Sequence, residues 1–89
     1  MWVRIDELSF AAARTDHVID HIRNTAVSKH DGEGFRGFRL LVDRTNGHAL
    51  DVSYWDTSTA ADRGGDTPDA SGMTRVVRSN VYELCIDSV

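Results

Sequence analysis

Residues 2 to 8, WVRIDEL, alternate along the chain: Val3 and Ile5 fall on one side, Arg4 and Asp6 on the other. A period of two is the signature of a strand. The period then changes. Val18, Ile19, Ile22 and Ala26 recur at helical spacing, after Thr15 as candidate N-cap and Asp16, whose charge suits the positive end of the helix dipole. The spacing predicts a helix to about Lys29, ended by Gly32 and Gly34.

Alternation returns twice. Phe38, Leu40 and Val42 interleave with Arg39, Leu41 and Asp43, and Leu50, Val52 and Tyr54 with Asp51, Ser53 and Trp55. Asn46-Gly47 between them is a hairpin signal. A two-residue loop sets Leu40 opposite Ser53 and Val42 opposite Asp51, so the apolar faces disagree. A three-residue loop, Thr45 to Gly47, sets Phe38 opposite Tyr54, Leu40 opposite Val52 and Val42 opposite Leu50. One apolar face then forms, so this register is expected, with Gly47 left-handed and Trp55 opposite Gly37 on the other face.

Beyond Trp55 the pattern weakens. DTSTAADR predicts a helix of about two turns, capped by Asp56 or Thr57 and stopped by Gly64-Gly65. The stretch from 64 to 72 reads as loop by composition. TRVVRSNVYELCIDSV reads as a last strand, with Tyr82, Leu84 and Ile86 on one side and Val81, Glu83 and Cys85 on the other. The order β-α-β-β-(short α)-β is the ferredoxin-like split βαβ: an α+β fold with a four-stranded antiparallel sheet.

The totals narrow the function classes. At 89 residues the chain has room for a single domain, 1–89, of a size that often gains from a partner chain. A net charge of −4 with scattered cations does not suggest a nucleic-acid binder. No run approaches the roughly 20 apolar residues of a membrane helix. One cysteine, Cys85, allows no internal disulfide, so the cytoplasm is the expected location.

Gly32, Gly34 and Gly37 spell G-x-G-x-x-G. A dinucleotide site needs strand, glycines, then helix, because the helix N-terminus holds the pyrophosphate. Here the order is helix, glycines, strand, and the dipole end is negative. The glycines are therefore expected to turn the chain, with Gly37 making room for Trp55. His17 and His21 stand four apart on the first helix, but no H-E-x-x-H and no third ligand accompany them, so no metal is expected. Ser28, His30 and Asp31 are chain neighbours, whereas a triad draws its members from distant segments. Cys85 has no neighbouring base and reads as a strand cysteine.

The second sheet face is expected to carry Arg4, Asp6, Arg39, Leu41, Asp51, Ser53, Trp55, Glu83 and Cys85. Left in water it would expose Trp2, Leu8, Leu41, Trp55 and Val81, more than a lone sheet leaves wet. A homodimer stacking these faces is expected.

The segment from Ile22 to Ala61, IRNTAVSKHDGEGFRGFRLLVDRTNGHALDVSYWDTSTAA, resembles the antibiotic biosynthesis monooxygenase-type members of the dimeric α/β-barrel superfamily. It is similar to them in the T-A-V helix end, the G-F-x-G of their P-G-F-x-G stretch, L-L-V-D-R, the hairpin and the S-x-W-D-T element; VYEL resembles their closing strand. The resemblance implies two ferredoxin-like protomers joined into a barrel, each with a cavity between sheet and helices. Relatives include cofactor-independent oxidases of aromatic polyketides, haem degraders, and small ligand-binding proteins. Trp55 matches the motif tryptophan that acts in catalysis or ligand stacking. The first-strand Asn of haem degraders is not here, Asp6 or Glu7 standing nearby, and their haem-ligating His has no match, so no cofactor is expected.

Two functions follow. One is a cofactor-independent monooxygenase on a small aromatic substrate, with Trp55 stacking it and Tyr54 or His21 carrying protons. The other is a non-catalytic dimeric module that binds a small ligand or a partner protein. The candidate ligand-binding residues are Trp55, Tyr54, Phe38, His21 and Asp6; Trp55 and His21 are the catalytic candidates.

Overall fold

The computed structural model describes residues 1–29 (backbone alone at 26–29), 32–64 and 74–88. The expected loop at 65–72, His30 and Asp31, and the side chains of Ala26 and Ser28 lie outside the described residues. The elements are β1 (Trp2–Phe10), α1 (Thr15–Lys29), β2 (Phe35–Asp43), β3 (His48–Trp55), α2 (Ser58–Arg63) and β4 (Thr74–Glu83). They form the ferredoxin-like antiparallel sheet in the order β2-β3-β1-β4. No helix of the described residues is long and apolar enough to cross a membrane.

β1 runs two residues further than its alternation signalled, because Phe10 is tied to the hairpin turn: its N–H donates to the Gly47 carbonyl at 2.9 Å. One 3-10 turn, Ala12–Arg14, leads into α1. Thr15 does not act as the N-cap. It is the first residue of α1, and its hydroxyl donates to the Ala12 carbonyl at 2.7 Å, tying the helix to that turn. The α2 cap is as expected: the Thr57 hydroxyl accepts from the Ala60 N–H, and Gly64 ends the helix after six residues.

The hairpin register corrects the sequence reading. Asp43 pairs with His48 across a four-residue loop, Arg44–Gly47, so Leu40 faces Asp51 and Phe38 faces Ser53. The loop is set by polar bonds that face counting does not see. The Asp43 carboxylate accepts from the N–H groups of Thr45 (3.1 Å) and Asn46 (3.2 Å) and from Asn46 Nδ2 (2.8 Å). Gly47 is left-handed as expected, at φ +63.

A one-residue slip turns every β2 side chain over. Phe38, Leu40 and Val42 therefore join the face of Ala49, Asp51, Ser53 and Trp55, not that of Leu50, Val52 and Tyr54. This is the face that α1 covers. Leu8, Val18, Ile22 and Ala49 are its buried core, with Phe10, Phe38, Leu40 and Val42 packed against them. The other face carries Val3, Ile5, Leu41, Leu50, Val52, Tyr54 and Tyr82, and no helix of the described residues lies over it. The mixed, tryptophan-bearing face is thus the inner one, and the apolar face the uncovered one, the reverse of the expectation. β4 also ends earlier than read, at Glu83; Leu84 to Ser88 are irregular, and Ile86 and Cys85 are exposed.

Candidate functional site

Under α2 the inner face is polar. Asp6 and Asp51 are register partners on β1 and β3, each about 2% exposed, and Ser53 is equally buried. A buried charge needs partners, and Asp6 has them. Arg4 Nε donates to Asp6 Oδ1 at 3.2 Å, and the Ser79 hydroxyl of β4 donates to the same oxygen. The other Arg4 nitrogens donate to Ser79 Oγ at 2.7 Å and to the carbonyls of Ala61 (3.1 Å) and Asp62 (3.0 Å). Those carbonyls belong to the last turn of α2, where a cation also meets the negative end of the helix dipole. Arg4 therefore ties α2 to the sheet.

Trp55 lies at the end of this group, 3% exposed. Its indole N–H donates to Ser53 Oγ at 2.8 Å, and its ring meets Phe35 edge-on at 5.2 Å between centroids. A bulge in β2 between Phe35 and Gly37 sets Phe35, not Gly37, opposite Trp55. Nor does Gly37 make room for the indole, since nothing lies within 4 Å of a Cβ built there. Gly64 makes the room: a Cβ on it would come within 2.0 Å of Trp55 Cζ2. The cap of α2 thus closes directly over the ring. Trp55 points under the helices, where the family's cavity is expected, and not toward the uncovered face.

An open cleft lies one strand away, between α1 and the edge strand β2. It holds about 310 Å³, with Ile19, Ile22, Phe38, Leu40 and Val42 as its apolar walls and Arg23 and Arg39 at its border. Phe38 joins the two regions, because it faces Ser53 across the sheet while lining the cleft.

The structure brings Asp6, Phe38 and Trp55 onto one face. Tyr54 is on the opposite face, where its hydroxyl meets Arg39 Nη1 at 3.3 Å and its ring lies 5.7 Å under the Arg39 guanidinium. His21 is exposed on α1 and does not line the cleft. Sequence reasoning missed Ile19, Ile22, Arg23, Arg39, Leu40 and Val42 as lining residues. Ile22 read only as core, and Leu40 and Val42 were paired with the wrong strand partners. Among the described residues no group of three or more His, Cys, Asp or Glu is placed to hold a metal ion.

No family model matches the chain, and no curated protein does. Solved structures do. The haem degrader MhuD from Mycobacterium tuberculosis, with two haems bound in its active site, superposes with a TM-score of 0.81 at 17% identity over 100% of both chains. A candidate antibiotic biosynthesis monooxygenase from Deinococcus radiodurans superposes at 0.72, 17% identical, over 100% of this chain and 97% of that one. A third structure, an antibiotic biosynthesis monooxygenase, reaches 0.63 at 18% identity, covering 100% and 99%. The fold is that of antibiotic biosynthesis monooxygenase-type proteins.

The donor set of the described residues does not fit haem. Among the described residues His17 and His21 are exposed on α1 and His48 pairs on the uncovered face, so no histidine or cysteine faces the buried group under α2 or lines the cleft. An axial ligand is what fixes haem iron to a protein.

Proposed function

We propose that this chain is a homodimeric α/β-barrel protein of the antibiotic biosynthesis monooxygenase type, a cytoplasmic single domain that binds a small aromatic ligand. The observation that carries the reading is the cleft: an open space of about 310 Å³ walled by an aromatic ring and four aliphatic side chains, with arginines at its border, the low end of the size range for small-molecule sites. Phe38 is the ligand-facing aromatic. Trp55 and Asp6 stand behind it as the buried support. Trp55 already spends its N–H on Ser53 and its ring face on Gly64, which favours binding over catalysis.

The uncovered sheet face supports the dimer. Leu41 and Tyr82 on it are 55% and 49% exposed, beside the half-buried Ile5, Leu50 and Tyr54. A contiguous apolar sheet surface on a small domain marks an interface. The lone cysteine supports a reducing compartment.

Thermal melting tests the reading. Anthrone and naphthalene-type phenols at about 100 times Kd should stabilise by about 2.7 kcal/mol, and Leu40→Trp, which fills the cleft, should remove the shift. No shift with any aromatic probe would sink the proposal. A second reading, a cofactor-independent monooxygenase in which the substrate's anion reduces oxygen, draws on the short path from Phe38 through Ser53 to Trp55. It requires oxygen uptake by the pure protein with anthrone, slowed in Trp55→Phe.

A further inference from the structure

A cationic group at the border of the cleft is Arg23, with the Asp20 carboxylate paired to it. Among the described residues that line the cleft none is acidic, and the two charged ones are Arg23 and Arg39. They are not equivalent. Arg39 commits its guanidinium to Tyr54 on the far face of the sheet, so it brings no free donor to the cleft. Arg23 stands one helical residue beyond Ile22, and its stem can lie along the apolar wall while its head stays at the rim. Among the described residues the head is held by Asp20, one turn back, at 3.1 Å. That pair is 71% and 69% exposed. Exposed pairs of this kind add little to stability, so exchanging the Asp20 carboxylate for a ligand acid group costs little. The guanidinium fork favours a planar oxyanion and holds it in two parallel hydrogen bonds.

We propose that the cleft selects an apolar acid, a molecule of bicyclic aromatic size whose carboxylate pairs with Arg23 while its rings lie on Phe38 and Leu40. The inference rests on the ligand-binding reading above and adds the ligand's charge and the residue that reads it. Arg23 is a specificity residue in this scheme; it moves no proton and forms no bond with the ligand other than the ion pair.

The test compares 2-naphthoate with 2-naphthalenemethanol, near-isosteres that differ in charge, by calorimetry at low salt. The acid should bind about two- to fivefold tighter, the gain an exposed ion pair gives, and added salt should shrink the gap. Arg23→Gln should reduce the ratio toward one, weakening the acid much more than the alcohol, which loses only the contact of the Arg23 stem. Asp20→Asn, which releases the guanidinium, should tighten the acid alone. Both positions are exposed, so these variants should melt like the parent chain. Equal binding of the two probes, both lost in Leu40→Trp, would overturn the acid preference and keep the ligand site. A preference that survives in Arg23→Gln would overturn the assignment of Arg23. Binding of neither probe would overturn the acid inference, and the ligand reading falls only if the neutral aromatic panel fails as well.

Discussion

Gly64 sets how closely α2 approaches the sheet. Its backbone conformation, φ −80, is open to any residue, so its role is not left-handedness but space. A methyl group there would lie 2.0 to 2.7 Å from three atoms of the Trp55 ring, and that ring is buried and hydrogen-bonded. Gly64→Ala should therefore cost about 1–3 kcal/mol, the usual range for overpacking, and lower Tm by about 4–24 °C. In Gly64→Ala/Trp55→Phe the smaller ring should return part of that loss, so the double variant should be less damaged than the sum of the singles. Additive losses in thermal melts would show that the contact does not set the spacing. Trp55 itself was legible as a key residue because its motif is distinctive. Its spacer was not. Gly37 and Gly64 look alike in sequence, and the bulge at Arg36 that moves Gly37 off the indole leaves no compositional trace.

The same limit appears in the β2–β3 hairpin. Strand positions and the Asn46-Gly47 turn were legible from alternation, but the register was not. The rule that apolar residues share the buried face chose a three-residue loop, because it could not know that Asp51 and Ser53 would be buried under the helices. Polar core positions invert the pattern that register arguments rely on, and local bonding at Asp43 then decides. Hydrogen bonds from Asn46, first through its side chain and then its backbone, hold the Asp43 carboxyl below its ordinary value, and the Arg36 guanidinium does the same for Asp56 through a paired contact at 2.7 and 2.6 Å. With a folded value below the unfolded one, each carboxylate stabilises fully above about pH 4 and loses its contribution as pH falls through the folded value. Hydrogen exchange at Thr45 and Asn46 should thus be unchanged from neutral pH to about 5, after correction for intrinsic rates, and rise on acidification below about 4. Asp43→Ala should raise it several-fold at neutral pH. An Asp43→Ala turn as protected as the parent would mean that the chain around Gly47, docked on Phe10, sets the loop unaided.

At the scale of the whole molecule, the fold was legible because element order and the Ile22–Ala61 motif are independent signals that agree. Which sheet face stays uncovered was not legible, since that depended on the register. The corrected face changes the form of the expected dimer. Two copies would meet through Ile5, Leu50 and Tyr54, with Leu41 and Tyr82 toward the strand edges, Val3 and Val52 being already buried, and not through paired Arg4 and Asp6, which are spent inside the protomer. Such an interface is driven by apolar burial at about 25 cal/mol per Å², so it should persist at high salt, where a dimer held by ion pairs would weaken. Leu41 is the residue to probe, being exposed in the protomer and outside the inner core. Leu41→Glu puts a charge on the contact of each copy and should shift the chain to monomer in sedimentation experiments while circular dichroism stays native. The cleft lies on the other side of the sheet, so 2-naphthoate should bind the monomeric variant as well as it binds the parent. A parent chain that sediments as a monomer at micromolar concentration would remove the dimer and leave the cleft standing. A Leu41→Glu dimer as tight as the parent would place the contact elsewhere on the molecule, with the exposed Val76 and Val77 of edge strand β4 as the next surface to test.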